Sequence, residues 1–213
     1  RLPSILPPLS RAEAVEVTRI HSVAGQHRGG GLMDERPFRA PHHLISASGL
    51  VGGGAVPVPG EASLAHHGVL FLDELSEFPR PALEALRQPL EDGRVAIVRG
   101  QRTAIFPTRF LLVAATNPCA CGHAPSPRCC CTDADLARHA RRLSGPLLDR
   151  LDIVLNVQRP AARDLGRAGA TTSAAERRRV TAARERQGER LRGTGAACNA
   201  QMSSALLRSH VDA

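Results

Sequence analysis

Two neighbouring acidic residues, Asp73 and Glu74, directly follow an uninterrupted apolar segment at residues 69–72. Such a segment is typical of a strand buried on both faces of a parallel sheet, and these sheets bind ligands at their carboxyl edge. In a nucleoside triphosphatase, Asp73 would hold Mg²⁺ and Glu74 would polarise the water that attacks the γ-phosphate. The alternative is a pair of surface acids that cap the next helix, and the pair alone leaves both interpretations open.

Asn117 lies after a second apolar segment, residues 110–115, which predicts a second buried strand. Its amide would then lie beside the two carboxylates and could orient the attacking water. Asn117 could instead be a turn residue that precedes Pro118. Its place in the order of motifs favours the chemical interpretation.

Arg150 precedes a third apolar segment, residues 153–157, which predicts a third strand. An arginine at the edge of a domain can reach the nucleotide of a neighbouring subunit and act as an arginine finger. The alternative is a local ion pair with Asp149 or Asp152.

Five of the six cysteines fall in one loop that also contains glycine and proline. Two Cys-x-Cys pairs, Cys119 with Cys121 and Cys129 with Cys131, supply enough thiolates for a tetrahedral Zn²⁺ site that would staple this polar loop. His123 is an alternative ligand. Structural zinc sites more often use Cys-x₂-Cys, and reduced cysteines without metal are the alternative. We predict zinc at the two pairs.

Two histidine pairs, His42 with His43 and His66 with His67, raise the question of a second metal centre. The first pair lies in a turn-rich segment, and the second directly precedes the apolar segment at residues 69–72. These positions favour packing and hydrogen bonding, so we assign no metal to them.

The elements that must position these side chains follow from periodicity and from capping residues. They are a helix at 11–23 capped by Ser10 and Glu13, a short helix near 44–48, a helix at 82–90 after Pro81 that stops before Gly93, a β-hairpin at 94–98 and 102–106, a helix at 136–143, and an Ala/Arg-rich helical region after Arg159 with Gly/Thr breaks at 166–172 and 193–195. Strands that alternate with helices predict an α/β domain with a parallel sheet.

The 213 residues are 42% hydrophobic but only 2% aromatic, so the core must consist of Leu, Val, Ile and Ala. This is enough for one full core and part of a second domain. No apolar segment approaches the roughly 18 residues of a membrane helix, and no signal-peptide pattern is present, so we expect a cytoplasmic protein without a membrane partner. The chain begins at Arg1 on an apolar stretch, which we interpret as a fragment.

All 28 basic residues are arginine, and the net charge is +8. Residues 159–213 hold 11 arginines against five acids, whereas residues 1–158 hold 17 against 15. The basic C-terminal part could favour nucleic acid, or its arginines could form a solvated helix face. Because a phosphate-binding P-loop requires lysine, this chain contains no ordinary one.

The motifs at 36–43, 52–54, 59–75, 86–93, 117–119 and 143–150 together resemble the Mg-chelatase-like AAA+ ATPases, and within them the YifB/ComM group. The similarity extends from Arg1 to about Arg159. It implies an α/β AAA+ core at 1–158, with a P-loop-type parallel sheet, flanking helices and a β-hairpin insertion. Residues 159–213 would begin an α-helical lid. The family's P-loop should precede Arg1, so we expect this chain alone neither to bind ATP tightly nor to hydrolyse it.

The resemblance also implies roles for single residues. Asp73 and Glu74 would be the Walker B pair, Asn117 sensor 1, and Arg150 the finger that acts on the next subunit. The lid's sensor-2 arginine has no assigned position in this sequence.

Two further elements, an insertion in helix 2 at residues 38–63 and the hairpin at 94–106, would face the pore of a ring. Arg94, Arg99 and Arg102 on the hairpin would then contact DNA phosphates, unless they only keep the hairpin soluble.

The implied function is an ATP- and Mg²⁺-dependent homo-oligomeric ring, expected to be a hexamer, that remodels DNA by branch migration in competence and recombination. One alternative is the motor subunit of a magnesium chelatase; stimulation of the ATPase by branched DNA, rather than by a chelatase partner, would discriminate. The other is a non-enzymatic, zinc-stapled DNA-binding module, which salt-sensitive binding without nucleotide dependence would support.

Overall fold

The computed structural model describes residues 2–27, 29–100, 102–143, 145–157 and 171–211. The chain divides into two compact units, one of residues Pro8–Leu151 and one formed by the described parts of Arg1–Pro7 and Asp152–Ala213. The first unit holds the acidic pair, Asn117, Arg150 and the cysteine cluster.

The strands are β1 (Phe38–Arg39), β2 (Gly52–Gly53), β3 (Val58–Pro59), β4 (Val69–Leu72), β5 (Arg94–Arg99), β6 (Arg102–Pro107) and β7 (Leu111–Ala114). The helices are α1 (Arg11–Val23), α2 (Ala47–Val51), α3 (Glu61–Leu64), α4 (Arg80–Ala85), α5 (Arg87–Asp92), α6 (Asp133–Arg142), α7 (Gly145–Leu148), α8 (Ser173–Arg190) and α9 (Ser204–Val211). Short 3₁₀ turns lie at Leu2–Ile5, Leu75–Glu77 and Asn199–Gln201.

A parallel sheet forms the centre of the larger unit, with β4 between β1 and β7 in the described part of the chain. The predicted strand at residues 69–72 is confirmed with its boundaries. Val69 and Leu70, which point to opposite faces of the sheet, are both completely buried, as expected for a strand that packs on both faces. The α/β class predicted from the sequence is therefore confirmed.

The hydrophobic core lies where helices cover this sheet. It is almost entirely aliphatic, as the composition requires, and its one buried aromatic side chain among the described residues is Phe78. Leu83 of α4, Leu86 and Leu147 of α7 pack with the buried leucines of β4. This packing fixes the helices relative to the carboxyl end of the strand.

The predicted hairpin is confirmed as the antiparallel pair β5–β6, with Arg94 opposite Pro107 and Arg99 opposite Arg102. Gly100 has φ +58° in the tight turn, a conformation that glycine adopts without steric cost. Arg94 and Arg99 are exposed.

Helix α1 has the predicted boundaries 11–23, and both bonds of the Ser10–Glu13 capping box are present. The helix expected at 82–90 is instead two helices, α4 and α5, which meet at Leu86. Pro89 has no N–H to donate to the Ala85 carbonyl, so one continuous helical ladder is interrupted there. The helix expected at 136–143 begins earlier, at Asp133, because Thr132 and Asp135 form a second capping box.

Two strand predictions need correction. Residues 153–157 form no strand in the described chain, and Ile153, Val154 and Leu155 are each at least 75% exposed. An apolar segment becomes a strand only when another strand pairs with it, and no described strand is paired with this one. The segment at 110–115 does contain β7, but Leu111 is 48% exposed, and β7 is the edge strand of this sheet among the described residues.

In the smaller unit, α8 confirms the predicted Ala/Arg-rich helix, and Arg177 donates from Nε to the Ser4 carbonyl over 2.8 Å. Gly193 and Gly195, both at φ +79°, follow this helix. The predicted break at 166–172 falls mainly on residues 158–170, which lie outside the described ones. None of the described helices is long and apolar enough to cross a membrane.

Gly68, directly before β4, lies against the backbone of Pro37, directly before β1, so a substitution there should disrupt the sheet. A Cβ at this position would collide with the Pro37 carbonyl oxygen and lie 2.9 Å from the Pro37 nitrogen. We expect Gly68→Ala to lower the free energy of unfolding by more than about 2 kcal/mol. Urea unfolding followed by circular dichroism measures this, with Gly145→Ala, which meets nothing within 4 Å, as the matched control. Equal stability of the two variants would contradict the close approach.

Candidate functional site

The acidic pair lies at the carboxyl edge of the sheet, next to the end of β7. The Ala115 amide donates to the Leu72 carbonyl, and the Leu75 amide donates to the Ala115 carbonyl, each over 2.9 Å. These bonds hold the loop after β4 against the segment that leads to Asn117. The structure therefore brings Asp73, Glu74 and Asn117 to neighbouring strand ends, as the sequence predicts.

Glu74 has a left-handed backbone, with φ 53° and ψ 47°. This conformation costs a residue with a Cβ roughly 1–2 kcal/mol and concentrates at functional sites. The Asp73 carboxylate accepts the Glu74 amide over 2.9 Å, and both acids are exposed. Glu74 makes no side-chain cap bond to the following 3₁₀ turn in the described chain, so its carboxylate does not serve as a helix cap.

His43 contacts the Glu74 carboxylate, with 3.0 Å between Nδ1 and Oε2. Its ring also meets the edge of Phe78, at 6.4 Å between ring centroids. The histidine pairs were expected to form hydrogen bonds, but nothing in the sequence indicates this particular partner, which lies 31 residues away. His43 is thus a side chain of the candidate site that sequence reasoning missed.

The backbone of Asn117 is anchored from the other side. Its carbonyl oxygen lies 2.9 Å from Nε2 of His139, a buried residue of α6. The Asn117 residue itself is exposed. Its side chain therefore stands at the solvent edge of the sheet while its backbone is fixed.

Arg150 forms an ion pair with Glu91, with 2.6 Å between Nη2 and Oε1. Arg87 also bonds this carboxylate, and hydrogen bonding from Arg87, together with the nearby charge of Arg150, holds the pKa of Glu91 below its ordinary value. The local pairing considered from the sequence named other acids, Asp149 and Asp152. Because both side chains of this pair are in contact with solvent, which weakens the attraction between their charges, Arg150 can exchange this partner readily.

The sulfur atoms of Cys119, Cys121, Cys129 and Cys131 all lie within 4.8 Å of one another. They are the four residues of the two predicted Cys-x-Cys pairs, whereas Cys130 is exposed. His123, the alternative ligand, is exposed and not in this group. Hydrogen bonds from backbone amides, that of Cys130 foremost, lower the pKa of the Cys121 thiol to about 5.

Glu16, His66 and His67 form a second group whose ligand atoms lie within the same limit. The Arg109 amide donates to Nδ1 of His66 over 3.0 Å, so the ring proton is on Nε2, where it bonds Glu16 over 2.8 Å. A nitrogen that carries a proton cannot ligate a metal. This geometry supports the packing and hydrogen bonding expected for this pair from the sequence.

Burial lowers the pKa of His66 from 6.5 to about 4, although the Glu16 bond partly opposes the shift. His66 therefore takes up a proton near pH 6.5 in the unfolded chain, but only near pH 4 in the folded chain. We expect up to about 3 kcal/mol of stability, present above pH 6.5, to be lost as the pH falls toward 4. Urea unfolding across this range, followed by circular dichroism, tests this.

His66→Gln keeps a donor and an acceptor but does not titrate, so its stability should vary less with pH in that window. His42→Gln, at an exposed histidine, should retain the dependence of the parent chain. If His66→Gln and the parent protein show the same dependence, His66 is not the group responsible.

These elements define an α/β domain with an acidic pair at the carboxyl edge of a parallel sheet and a basic hairpin nearby in sequence. A family model described as "Magnesium chelatase, subunit ChlI" matches residues 1–165. The chain belongs to this family, and the resemblance to the YifB/ComM group is confirmed.

Relatives from several bacteria support the assignment. An uncharacterized protein of Mycobacterium tuberculosis is 47% identical over 210 residues, which are 98% of this chain and 42% of the relative. YifB of Escherichia coli and the competence protein ComM of Haemophilus influenzae are each 45% identical over 192 residues, covering 89% of this chain and 38% of the relative. The chain thus spans less than half the length of these relatives.

Proposed function

We propose that the full-length protein is an ATP- and Mg²⁺-dependent AAA+ motor that works as a homo-oligomeric ring, expected to have six subunits, in the cytoplasm. The observation that carries the proposal is the placement of Asp73, Glu74 and Asn117 at adjacent strand ends of a parallel sheet. Ligands bind at this edge in open α/β sheets. Membership of the magnesium chelatase family is consistent with the same chemistry.

Each side chain would have a distinct role in hydrolysis. Asp73 would hold Mg²⁺ beside the phosphates, Glu74 would take a proton from the attacking water, and the Asn117 amide would orient that water. The exposure of both acids leaves room for a nucleotide. The lysine that cradles the phosphates must come from outside these 213 residues, because they contain none.

Arg150 would complete the site of a neighbouring subunit. When the Arg150 guanidinium moves to a γ-phosphate, its present partner Glu91 would keep the ion pair with Arg87. A charge-assisted bond to phosphate is stronger than an exposed ion pair, so the exchange is favourable. A ring is the arrangement in which every subunit can both give and receive such a residue.

DNA is the proposed substrate of the motor. The similarity to the competence protein ComM and the exposed arginines of the β5–β6 hairpin support this choice. The matching family model, named for a magnesium chelatase subunit, favours the alternative of a chelatase motor. Branched DNA should stimulate the ATPase in the first case, and a chelatase partner in the second.

Replacement of Glu74 by glutamine removes the proposed base but keeps the size of the side chain. We expect Glu74→Gln in the full-length protein to lower kcat at least 100-fold while ATP still binds. ATP turnover and binding of a fluorescent nucleotide measure the two properties separately. The 213-residue chain alone, which has no lysine, should show neither.

Glu77→Gln is the matched control, because this exposed acid lies three residues along the same loop and pairs with Arg142. It should leave turnover within a few-fold of the parent protein. ATPase activity that survives Glu74→Gln would remove Glu74 from the mechanism, and activity of the chain alone would contradict the need for the lysine.

Arg94, Arg99 and Arg102 should contribute to DNA binding through phosphate contacts. Each contact releases about one counterion, so replacing all three by alanine should reduce the slope of log K against log salt concentration by up to about 3. The loss should be the same for different DNA sequences, since phosphates carry no sequence information. Fluorescence anisotropy at several salt concentrations measures the slope.

The control removes the same number of charges elsewhere, at Arg80, Arg138 and Arg179, each of which pairs with an acid on its own helix. This triple alanine variant should bind DNA with the parent slope. Equal slopes for the two triple variants would mean that net charge, rather than the hairpin, attracts DNA. The remaining alternative, a DNA-binding module without enzymatic activity, would require a DNA affinity that does not change when nucleotide is added.

Zinc is the further ion that this chain would hold, in addition to the Mg²⁺ that accompanies ATP. The group of cysteine sulfurs at Cys119, Cys121, Cys129 and Cys131 supports it.

A further inference from the structure

We infer that the four-cysteine cluster is a mononuclear zinc site whose role is to fix the loop that carries Asn117. The loop runs from the end of β7 to the start of α6, and its two Cys-x-Cys pairs stand at either end of the turns in between. The zinc site itself involves residues of this chain alone and does not depend on the proposed activity. Its role toward Asn117 rests on the proposed ATPase function.

The separations of the sulfur atoms fit a single tetrahedral ion. Thiolates at about 2.3 Å from Zn²⁺ lie about 3.8 Å from one another. Sγ of Cys119 lies 3.4 Å from Sγ of Cys121 and 3.8 Å from Sγ of Cys129. The Sγ atoms of Cys121 and Cys129 are 3.6 Å apart. Cys131 is within 4.8 Å of all three. An iron–sulfur cluster attaches its thiolates to different irons and would spread them further apart.

Backbone amides surround the sulfurs in the way that stabilises thiolates. The Ala124 amide donates to Sγ of Cys119 over 3.3 Å, and the amides of His123 and Cys130 donate to Cys121. Gly122, at φ +75°, allows the turn in which its own amide bonds the Cys119 carbonyl. This turn places both sulfurs of the first pair on the same side, which explains how a Cys-x-Cys spacing can chelate.

The loop offers little else that could hold it together. Residues 125–128 are all exposed, and of the cluster only Cys119, 1% exposed, is buried. Two prolines and a serine in this stretch contribute no apolar core. A metal ion supplies in one step the free energy that such a loop cannot obtain by packing.

Asn117 lies two residues before the first ligand, Cys119. On its other side, His139 of α6 bonds the Asn117 carbonyl. Helix α6 begins two residues after Cys131. The zinc-bound loop and the histidine therefore enclose the backbone of Asn117, so the metal would act as a positioning group for its amide.

The first test uses the 213-residue chain and needs no ATPase. Protein purified without chelators should contain one zinc per chain by elemental analysis, and Co²⁺ added to the apoprotein should give the visible bands of a tetrahedral tetrathiolate. Cys121→Ser should lower zinc affinity at least tenfold. Cys130→Ser, in the same loop but outside the group, should bind zinc as the parent does.

If the parent chain contains no zinc and gives no cobalt bands, the proposed site is wrong. This result does not depend on whether Cys121→Ser folds. Equal loss of zinc in Cys130→Ser and Cys121→Ser would also overturn the proposed ligand set. Cobalt bands typical of three sulfurs and one nitrogen would mean that a histidine, and not the fourth cysteine, binds the metal. This result would contradict the assignment.

The second test uses the full-length protein. Cys121→Ser should lower kcat at least tenfold with little change in KM for ATP, because the orientation of the attacking water is lost while nucleotide contacts remain. Cys130→Ser should keep parental kcat. Equal kcat in both variants would overturn the positioning role but leave the zinc site. An inactive parent would instead refute the proposed ATPase, with the zinc result unaffected.

Discussion

The hydrogen bonding of β4 to a parallel strand on each side is the constraint on which the candidate site depends. Parallel pairing requires both faces of the sheet to be covered. Leu70 and Leu72 cover one face of β4 by packing against α4 and α7, and Val69 on the opposite face is completely buried as well. Because the strands run in one direction, their ends lie together. The polar residues of two segments that are distant in the sequence therefore become neighbours at this edge.

Local signals in the sequence were sufficient for much of this fold. The β4 segment, the Ser10 capping box and the β5–β6 hairpin are each specified within a few residues, so their positions could be predicted. The cysteine group could also be predicted, because its members are close in the chain. Physical chemistry within about ten residues explains all of these successes.

The features that could not be predicted depend on contacts between distant residues. The contact of His43 with Glu74 and the pairing of Arg150 with Glu91 join segments 31 and 59 residues apart, and no local pattern indicates either. Residues 153–157 show the reverse case. Their apolar pattern is that of a strand, but a strand forms only with a partner, which the pattern itself does not supply.

The left-handed backbone at Glu74 bears on how this protein could be engineered. Glycine or asparagine would adopt this conformation at lower cost, so a search for thermostable variants would select them at this position. Such variants would gain heat resistance while losing a carboxylate from the edge of the sheet. A position that is attractive for stabilisation would therefore be among the worst to change in a protein that must keep its activity.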